Sequence, residues 1–285
     1  MRITAICVLL TFSYPLAAQL NSSNAKGIQI ITSGGKAADS LFNSLLCGRD
    51  AIVILIPTAA SNLRSNAGTI WNPDEYQYKE AYLYDLLQRF NLDTISVLHT
   101  RSREEANTEN FVAPLRNAQA VWISGGNPGR FISTYQGTLL EKELNAILQR
   151  GGIIVRESIG ESANSIVQGS YTIRGNSNKL VLMVEGSEKG IGLIQSVANN
   201  AHPSAQKRQN KLISIIDKYT YLLGIGIDYN TGFIIQDGIG DVFGSGRIAI
   251  YDNKKHKEGR YYWLKPGDKF DFNKKSPIKI LPESH

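Results

Sequence analysis

The chain has 285 residues, of which 42% are hydrophobic and 20% charged, with 26 Gly and 9 Pro. This composition is typical of a globular protein and excludes a disordered, collagen-like or low-complexity chain. The net charge is +6, but no basic stripe interleaved with aromatic residues accompanies it, so we expect no nucleic-acid partner.

The first residues have the pattern of a secretory signal peptide. Arg2 is followed by an apolar run over residues 3–10, and small residues end the stretch at Ala17 and Ala18. The run is too short to span a bilayer, and no later stretch is long enough. We predict a signal peptide over residues 1–18, a single domain over residues 19–285, and an exported protein, periplasmic or secreted, with no membrane attachment after cleavage.

Cysteine usage fits this reading. Of the two cysteines, Cys7 leaves with the signal peptide, so only Cys47 remains and no intramolecular disulfide can form. Cys47 ends an apolar helical pattern, and nothing near it in the sequence would activate it as a nucleophile. We therefore predict a buried packing residue.

The first half of the mature chain alternates short apolar runs with amphipathic stretches. The apolar runs predict strands over residues 28–31, 51–56, 94–98, 120–123 and 152–155. Between them, apolar residues at helical spacing predict helices over residues 37–47, 75–90 and 138–150. This alternation predicts an α/β fold with a doubly wound, mostly parallel sheet and helices on both faces.

After about residue 169 the pattern becomes strand-rich. Strands are predicted over residues 180–184, 224–228, 232–236 and 247–251, with one helix at about 206–218 and a turn at 265–268. The glycine pairs in this half lie between strands, so no dinucleotide site is expected. No group of residues has metal-ligand spacing either, and we expect neither a metal nor a cofactor.

Functional residues of an open parallel sheet lie beyond the carboxyl ends of its strands. Ser158 follows strand 152–155 at a strand-to-helix turn, which places a hydroxyl above the sheet next to a backbone N–H that can stabilise an oxyanion. Gly125 and Gly126 follow strand 120–123 and can supply a second N–H. The alternatives are a helix N-cap for Ser158 and a tight turn for the glycines.

A base is needed to activate such a serine. His202 lies in a polar loop before a helix, which suits a general base, although a solvated loop histidine is the alternative. His99 competes with it because it also follows a predicted strand.

These residues, in this order, resemble the cyanophycinase and dipeptidase E family of serine peptidases, and within it the cyanophycinase branch. The motifs that carry the resemblance are Gly125-Gly126-Asn127, the block 151–155 leading into Ser158-Ile159-Gly160, Gly192-Leu193 and His202. The resemblance implies a glutamine-amidotransferase-like α/β fold with Ser158 as nucleophile and His202 as base. The oxyanion hole would be the N–H groups of Gly126 and Ile159.

The chain also departs from this family. Arg156 and Glu157 stand where the family has small residues before the serine. Tyr229 stands where the family's acid, a glutamate, is expected, which leaves Asp228, Glu157 and Glu161 as candidate acids. The resemblance further implies Asn127, Asn200 and Arg208 as substrate contacts.

The expected function is therefore an exported serine-type peptidase, an exopeptidase or hydrolase acting on aspartyl-type peptides through a serine nucleophile and a histidine base. The expected partner is a peptide substrate, and a homodimer is left open. The alternative is a catalytically degenerate member of the family that binds a peptide or another ligand at the same place.

Overall fold

The computed structural model describes residues 27–65, 68–75, 77, 79–157, 173–175, 181–183, 197–201, 212–257 and 259–278. The elements of the first half are β1 (Ile28–Thr32), α1 (Lys36–Leu45), β2 (Val53–Ile56), β3 (Leu63–Arg64), β4 (Ile70–Trp71), α2 (Lys79–Phe90), β5 (Ser96–Val97), α3 (Glu109–Val112), β6 (Ala120–Ile123), α4 (Pro128–Tyr135), α5 (Leu139–Gln149) and β7 (Ile153–Glu157). Short 3-10 turns at Glu105–Asn107 and Ala113–Asn117 flank α3.

The elements of the second half are mostly strands. They are β8 (Ile173–Gly175), β9 (Val181–Met183), β10 (Val197–Ala201), α6 (Ile213–Lys218), β11 (Leu223–Ile227), β12 (Thr231–Gln236), β13 (Ile239–Gly244), β14 (Ile248–Tyr251), β15 (Tyr262–Leu264), β16 (Lys269–Asp271) and β17 (Ser276–Ile278). Of the predicted helix 206–218, residues 206–211 lie outside the described residues.

A nine-stranded sheet with the order β17-β16-β13-β12-β1-β7-β6-β2-β5 forms the centre of the molecule. Strands β1, β7, β6, β2 and β5 are parallel to one another. Strands β12, β13, β16 and β17 extend the sheet in antiparallel fashion. The predicted α/β fold with a doubly wound, mostly parallel sheet is confirmed, and so is its strand-rich second half.

Alternation along the parallel strands separates the core into two layers. Leu55 and Trp122 pack on one face with residues of α1 and α2. Ile54 and Val121 pack on the other face with residues of α4 and α5. Both faces are buried, and for this reason the strands are continuous apolar runs in the sequence.

A second sheet, of order β10-β11-β14-β15, covers the antiparallel part. Ile225 and Ile250 of this sheet share one apolar cluster with Ile31 of β1 and Phe233 of β12. Since Ile31 points to the face opposite Ile30, the second sheet lies on the same face as α4 and α5. The carboxyl end of β11 is thereby brought beside that of β1.

One local prediction was wrong, and one helix was not predicted. Cys47 is exposed, because α1 ends at Leu45 and the cysteine lies in the turn that follows. Helix α4 was not predicted, and its first residues, Pro128 and Gly129, are residue types common in turns. Proline is favoured in the first turn of a helix, and the Asn127 side chain caps this one. No helix in the described ranges combines the length and apolar character that crossing a bilayer requires.

Candidate active site

The carboxyl ends of four parallel strands meet at one edge of the sheet, which we call the crest. The strand register pairs Thr32 with Glu157, Ile123 with Arg156, and Ile56 with Ile123. The residues that follow β1, β2, β6 and β7 therefore lie side by side. Strand β7 lies between β1 and β6 and ends at Glu157, and Ser158, the sequence-predicted nucleophile, is the next residue in the chain.

Glu157 points away from the crest into the layer covered by α2. Its Oε1 accepts from Arg89 Nη2 at 2.8 Å, and its Oε2 accepts from Trp122 Nε1 at 3.0 Å. Arg89 also pairs with Asp39 at 2.6 Å. Both carboxylate oxygens of this candidate acid thus have partners inside the protein.

Arg156 points to the opposite face of β7, as alternation requires. It is fully buried, and its Nη1 donates to the carbonyl oxygens of Ile123 at 3.3 Å, Ser124 at 2.6 Å and Glu157. Burial lowers the pKa of this guanidinium to about 10, and it stays protonated at neutral pH. The two charged residues before Ser158 therefore pack beneath the crest on opposite faces, where neither stands in front of it.

Gly126 sits where only glycine fits. Its φ is +149°, and an added Cβ would lie 2.1 Å from the carbonyl oxygen of Ala59. The next residue, Asn127, donates its backbone N–H to the same oxygen at 2.7 Å, and its Oδ1 accepts from Gly129 N at 2.9 Å. The turn after β6 is thus packed directly against the loop after β2, and the Asn127 side chain caps α4.

Arg101 holds the loop that follows β2. Its guanidinium donates to the carbonyl oxygens of Thr58 and, at 3.1 Å, of Ala60, the residues on either side of Ala59. Its Nε and Nη2 also bind Asp74 at 2.8 and 2.9 Å, and this pairing lowers the pKa of the Asp74 carboxyl to about 2. The Ala59 carbonyl oxygen, which accepts from Asn127 N, is therefore held in place by the hydrogen bonds of Arg101 to the two neighbouring residues.

His99 belongs to the same cluster. Its Nε2 lies 3.0 Å from Asp74 Oδ1, and its Nδ1 lies 2.8 Å from Thr58 Oγ1, which is 2.5 Å from the Tyr135 hydroxyl. Because an ionised carboxylate only accepts, Nε2 carries the proton and Nδ1 accepts from Thr58. Burial lowers the pKa of His99, and with both nitrogens engaged this ring has none left for a substrate proton.

Sequence reasoning missed Arg101 and Asp74. The only available signal was the position of Arg101 two residues after His99, just beyond the carboxyl end of the strand predicted over residues 94–98. Its partner Asp74 lies 27 residues earlier, and no local pattern joins the two.

Comparison with known proteins identifies the family of the chain. The sequence model of peptidase family S51 matches residues 29–242, well over half of the chain. The chain belongs to peptidase family S51.

Among the relatives of this S51 chain are curated cyanophycinases. The chain is 26% identical to that of Geminocystis herdmanii over 214 residues, which cover 73% of this chain and 71% of the relative. It is 25% identical to that of a Nostoc species over 223 residues, covering 70% and 72%. The resemblance stated from the sequence motifs is confirmed at the level of the family.

A solved structure shares the fold of this S51 chain. The crystal structure of a peptidase from an acI-B1 actinobacterium matches with a TM-score of 0.64 at 19% identity. The match covers 87% of this chain and 98% of that one.

Asp228, another candidate acid, lies at the crest. It follows β11, whose parallel partner β10 ends at Ala201 opposite Ile227. Ser33, just after β1, donates its hydroxyl to the Asp228 carbonyl oxygen, and Asp228 Oδ2 accepts from Arg247 N at 3.3 Å. The end of β11 is thereby tied to the strand beside β7. Tyr229, the next residue, is 61% exposed.

Several sequence-predicted site residues of the S51 chain lie outside the described residues. They are Ser158, Ile159, Glu161, His202 and Arg208, and for Asn200 only its place in β10 is described. The structure therefore brings together Gly126, Asn127, Glu157 and Asp228 at or just below the crest. In the part of the chain that the structure describes, no three His, Cys, Asp or Glu side chains are grouped to hold a metal ion.

Proposed function

We propose that this S51 chain is a serine-type peptidase acting on aspartyl-type peptides, with Ser158 as nucleophile and His202 as base. The N–H groups of Gly126 and Ile159 would form the oxyanion hole, because tetrahedral intermediates of acyl transfer are stabilised by such donors. The observation that carries the proposal is the rigid Gly126 turn. It is buttressed by Ala59 and Arg101 at the edge where β7 leads into Ser158.

Asp228 is the acid that best fits this proposal. Strand β10 leads directly into His202, and its parallel neighbour β11 leads directly into Asp228. Glu157, in contrast, has both oxygens bound by Arg89 and Trp122 on the far side of the sheet. An acid beside the base holds the imidazole in the correct tautomer and stabilises its charged form.

The fate of the substrate follows from these roles. Ser158 Oγ would attack the scissile carbonyl while His202 takes its proton, and His202 would then return that proton to the leaving amine. Water, activated by the same histidine, would hydrolyse the acyl-enzyme and restore the serine. Arg156 and Glu157 play no direct part, because both are buried beneath the crest.

A fluorophosphonate probe tests the nucleophile. The wild type should label, and Ser158→Ala should abolish the label, while His202→Ala should slow it by orders of magnitude. A screen with β-aspartyl and α-aspartyl dipeptides then tests the substrate class. No label on the folded wild type would contradict the proposal.

The acid is tested by a matched pair of variants. Asp228→Asn should lower kcat on the order of 10⁴-fold, as loss of a triad acid does elsewhere. Asp271→Asn is the control, since Asp271 is comparably buried but lies at a β16 end and binds the backbone of Asn273 and Lys274. Normal turnover in Asp228→Asn would remove Asp228 from the mechanism.

A second candidate function is ligand binding without catalysis. Tyr229 favours it, because an exposed tyrosine stands where the family resemblance places the glutamate that would orient the base. If the wild type is inactive but Tyr229→Glu hydrolyses aspartyl peptides, the natural protein is such a degenerate member.

We also propose that the chain is exported, on the signal-peptide pattern of residues 1–18. The protein recovered outside the cytoplasm should begin between residues 17 and 21. Cytoplasmic protein that retains Met1 would contradict export without bearing on the peptidase activity.

A further inference from the structure

Arg156 is a buried cation, and one edge of its guanidinium makes no hydrogen bond to any described residue. The residue is 0% exposed, and only its Nη1 donates to carbonyl oxygens. Its Nε and Nη2 have no hydrogen-bond partner among the described residues. The carbonyl oxygen of Ser124 receives Nη1 at 2.6 Å. Two orphaned donors thus lie on one edge of this guanidinium, beneath the Gly125-Gly126 turn.

The planar geometry of the guanidinium group indicates what the unpartnered edge can bind. The N–H of Nε and one N–H of Nη2 project from the same edge in parallel, and this fork fits an anion held by two hydrogen bonds. Buried polar groups are almost always hydrogen-bonded, so an orphaned fork points to a missing partner.

The missing partner must also carry negative charge. An unpaired cation is costly in a protein interior, and a water molecule would satisfy the hydrogen bonds but not the charge. None of the ion pairs among the described residues includes Arg156. The neighbouring carboxylate, Glu157, points to the opposite face of the sheet and pairs with Arg89 at 2.8 Å.

We propose that the Nε–Nη2 edge of Arg156 binds a small monovalent anion, such as a halide or formate, beneath the Gly125-Gly126 turn. The anion is taken up as the protein folds, because the guanidinium is closed to solvent. It is a resident ion that neutralises Arg156, and the inference goes beyond the proposed peptidase activity because it involves neither Ser158 nor His202.

Thermal unfolding at constant ionic strength tests the site. Sodium bromide or formate replaces sodium gluconate, whose anion is too large for a buried site. A ligand that binds only the folded state raises Tm with concentration and saturates as the site fills. We expect this rise in the wild type and its loss in Arg156→Met.

Arg150→Met is the matched control. Arg150 also donates to two buried-loop carbonyls, those of Leu115 and Ala118, but lies at the opposite end of β7 from the crest. This variant should keep the full response to bromide. An equal rise of Tm in Arg156→Met would reveal a general salt effect and overturn the proposal.

A crystal grown in bromide supplies a second, independent measurement. An anomalous peak within hydrogen-bond distance of Arg156 Nε and Nη2 is the expected result, and it stands even if Arg156→Met fails to fold. Water or a protein carboxylate at that position would overturn the proposal. Fluorophosphonate labelling does not enter either measurement, so failure here and failure of the proposed function are distinguishable.

Discussion

Two clusters of charged side chains flank the crest, and each is built around a carboxylate held by an arginine. In one, Glu157 pairs with Arg89, and their side chains are 4% and 12% exposed. In the other, Asp74 pairs with Arg101, and theirs are 45% and 33% exposed. The same chemistry is therefore used once inside the protein and once near its surface.

The two clusters also anchor different parts of the structure, a strand in one case and a loop in the other. Glu157 is the last residue of β7, so its contacts with Arg89 and Trp122 anchor the strand from which Ser158 follows. Arg101 holds the loop on which the Gly126 turn rests. The comparison suggests that the buried cluster serves mainly folding stability, whereas the exposed cluster serves mainly the placement of the oxyanion turn.

Removal of Glu157 should have the largest effect. Glu157→Ala leaves Trp122 Nε1 and one side of the Arg89 guanidinium unpaired in the interior, which costs about 3 kcal/mol. For a domain of this size we expect Tm to fall by roughly 8 °C, measured by circular dichroism. Asp93→Ala is the control, because the Arg49–Asp93 pair is more than half exposed and contributes below about 1 kcal/mol. Equal shifts in the two variants would refute the comparison.

The buried cluster also shows which features could be predicted from the sequence and which could not. Alternation along a strand is enough to place Arg156 and Glu157 on opposite faces, and the continuous apolar runs correctly predicted the parallel strands. The partners of these charges could not be predicted, because Arg89 lies 68 residues from Glu157 and meets it only through packing of α2 on the sheet. From the sequence, the two charges stood where the resembled family has small residues before Ser158. In the structure both side chains lie beneath the crest, and Glu157 is paired with Arg89.

Cys47 and α4 show the same limit at short range. Helical periodicity ran through Cys47, but α1 ends two residues earlier, and nothing in the apolar pattern marks that end. Pro128 and Gly129 are residue types common in turns, yet a helix begins there because the Asn127 side chain caps it. Element type was predictable for the buried strands and less so wherever a cap or a turn decides the boundary.

Arg101→Met should affect catalysis more than stability. It removes the contacts with the carbonyl oxygens of Thr58 and Ala60, each worth about 1 kcal/mol, so Tm should fall by only a few degrees. If the Gly126 turn then shifts by about 1 Å, kcat should fall on the order of 10²-fold with little change in KM. Steady-state kinetics on an aspartyl dipeptide measures this, with Arg49→Met as control. An unchanged kcat would show that the turn holds its place without Arg101.

His99 should give the exposed cluster a pH dependence of stability. Burial lowers the pKa of folded His99, so the unfolded chain takes up a proton first as pH falls. This contribution to stability is complete above about pH 6.5, the ordinary pKa of histidine, and is lost progressively below it. His99→Asn should therefore flatten the fall of Tm between neutral pH and about pH 5. The further fall below about pH 4 should persist, because it comes from carboxyls whose folded pKa is lowered, among them Asp271 and Asp74, whose folded pKa is about 2. A wild type and variant with parallel profiles would contradict this role.

The smallest expected effect is a difference in how strongly salt weakens the ion pairs of the two clusters. Double-mutant cycles give the coupling energy of each pair, Asp74 with Arg101 and Glu157 with Arg89. The exposed pair should couple by up to about 1 kcal/mol at low ionic strength and lose a large part of that at 0.5 M, where the screening length is only about 4–5 Å. The buried pair should keep nearly all of its coupling, because little electrolyte reaches side chains that are 4% and 12% exposed. Sodium gluconate is the salt to use, since it raises ionic strength without supplying a halide to Arg156. Equal losses for both pairs would mean that the Glu157 cluster is hydrated in solution, and its assignment to folding stability would then fail.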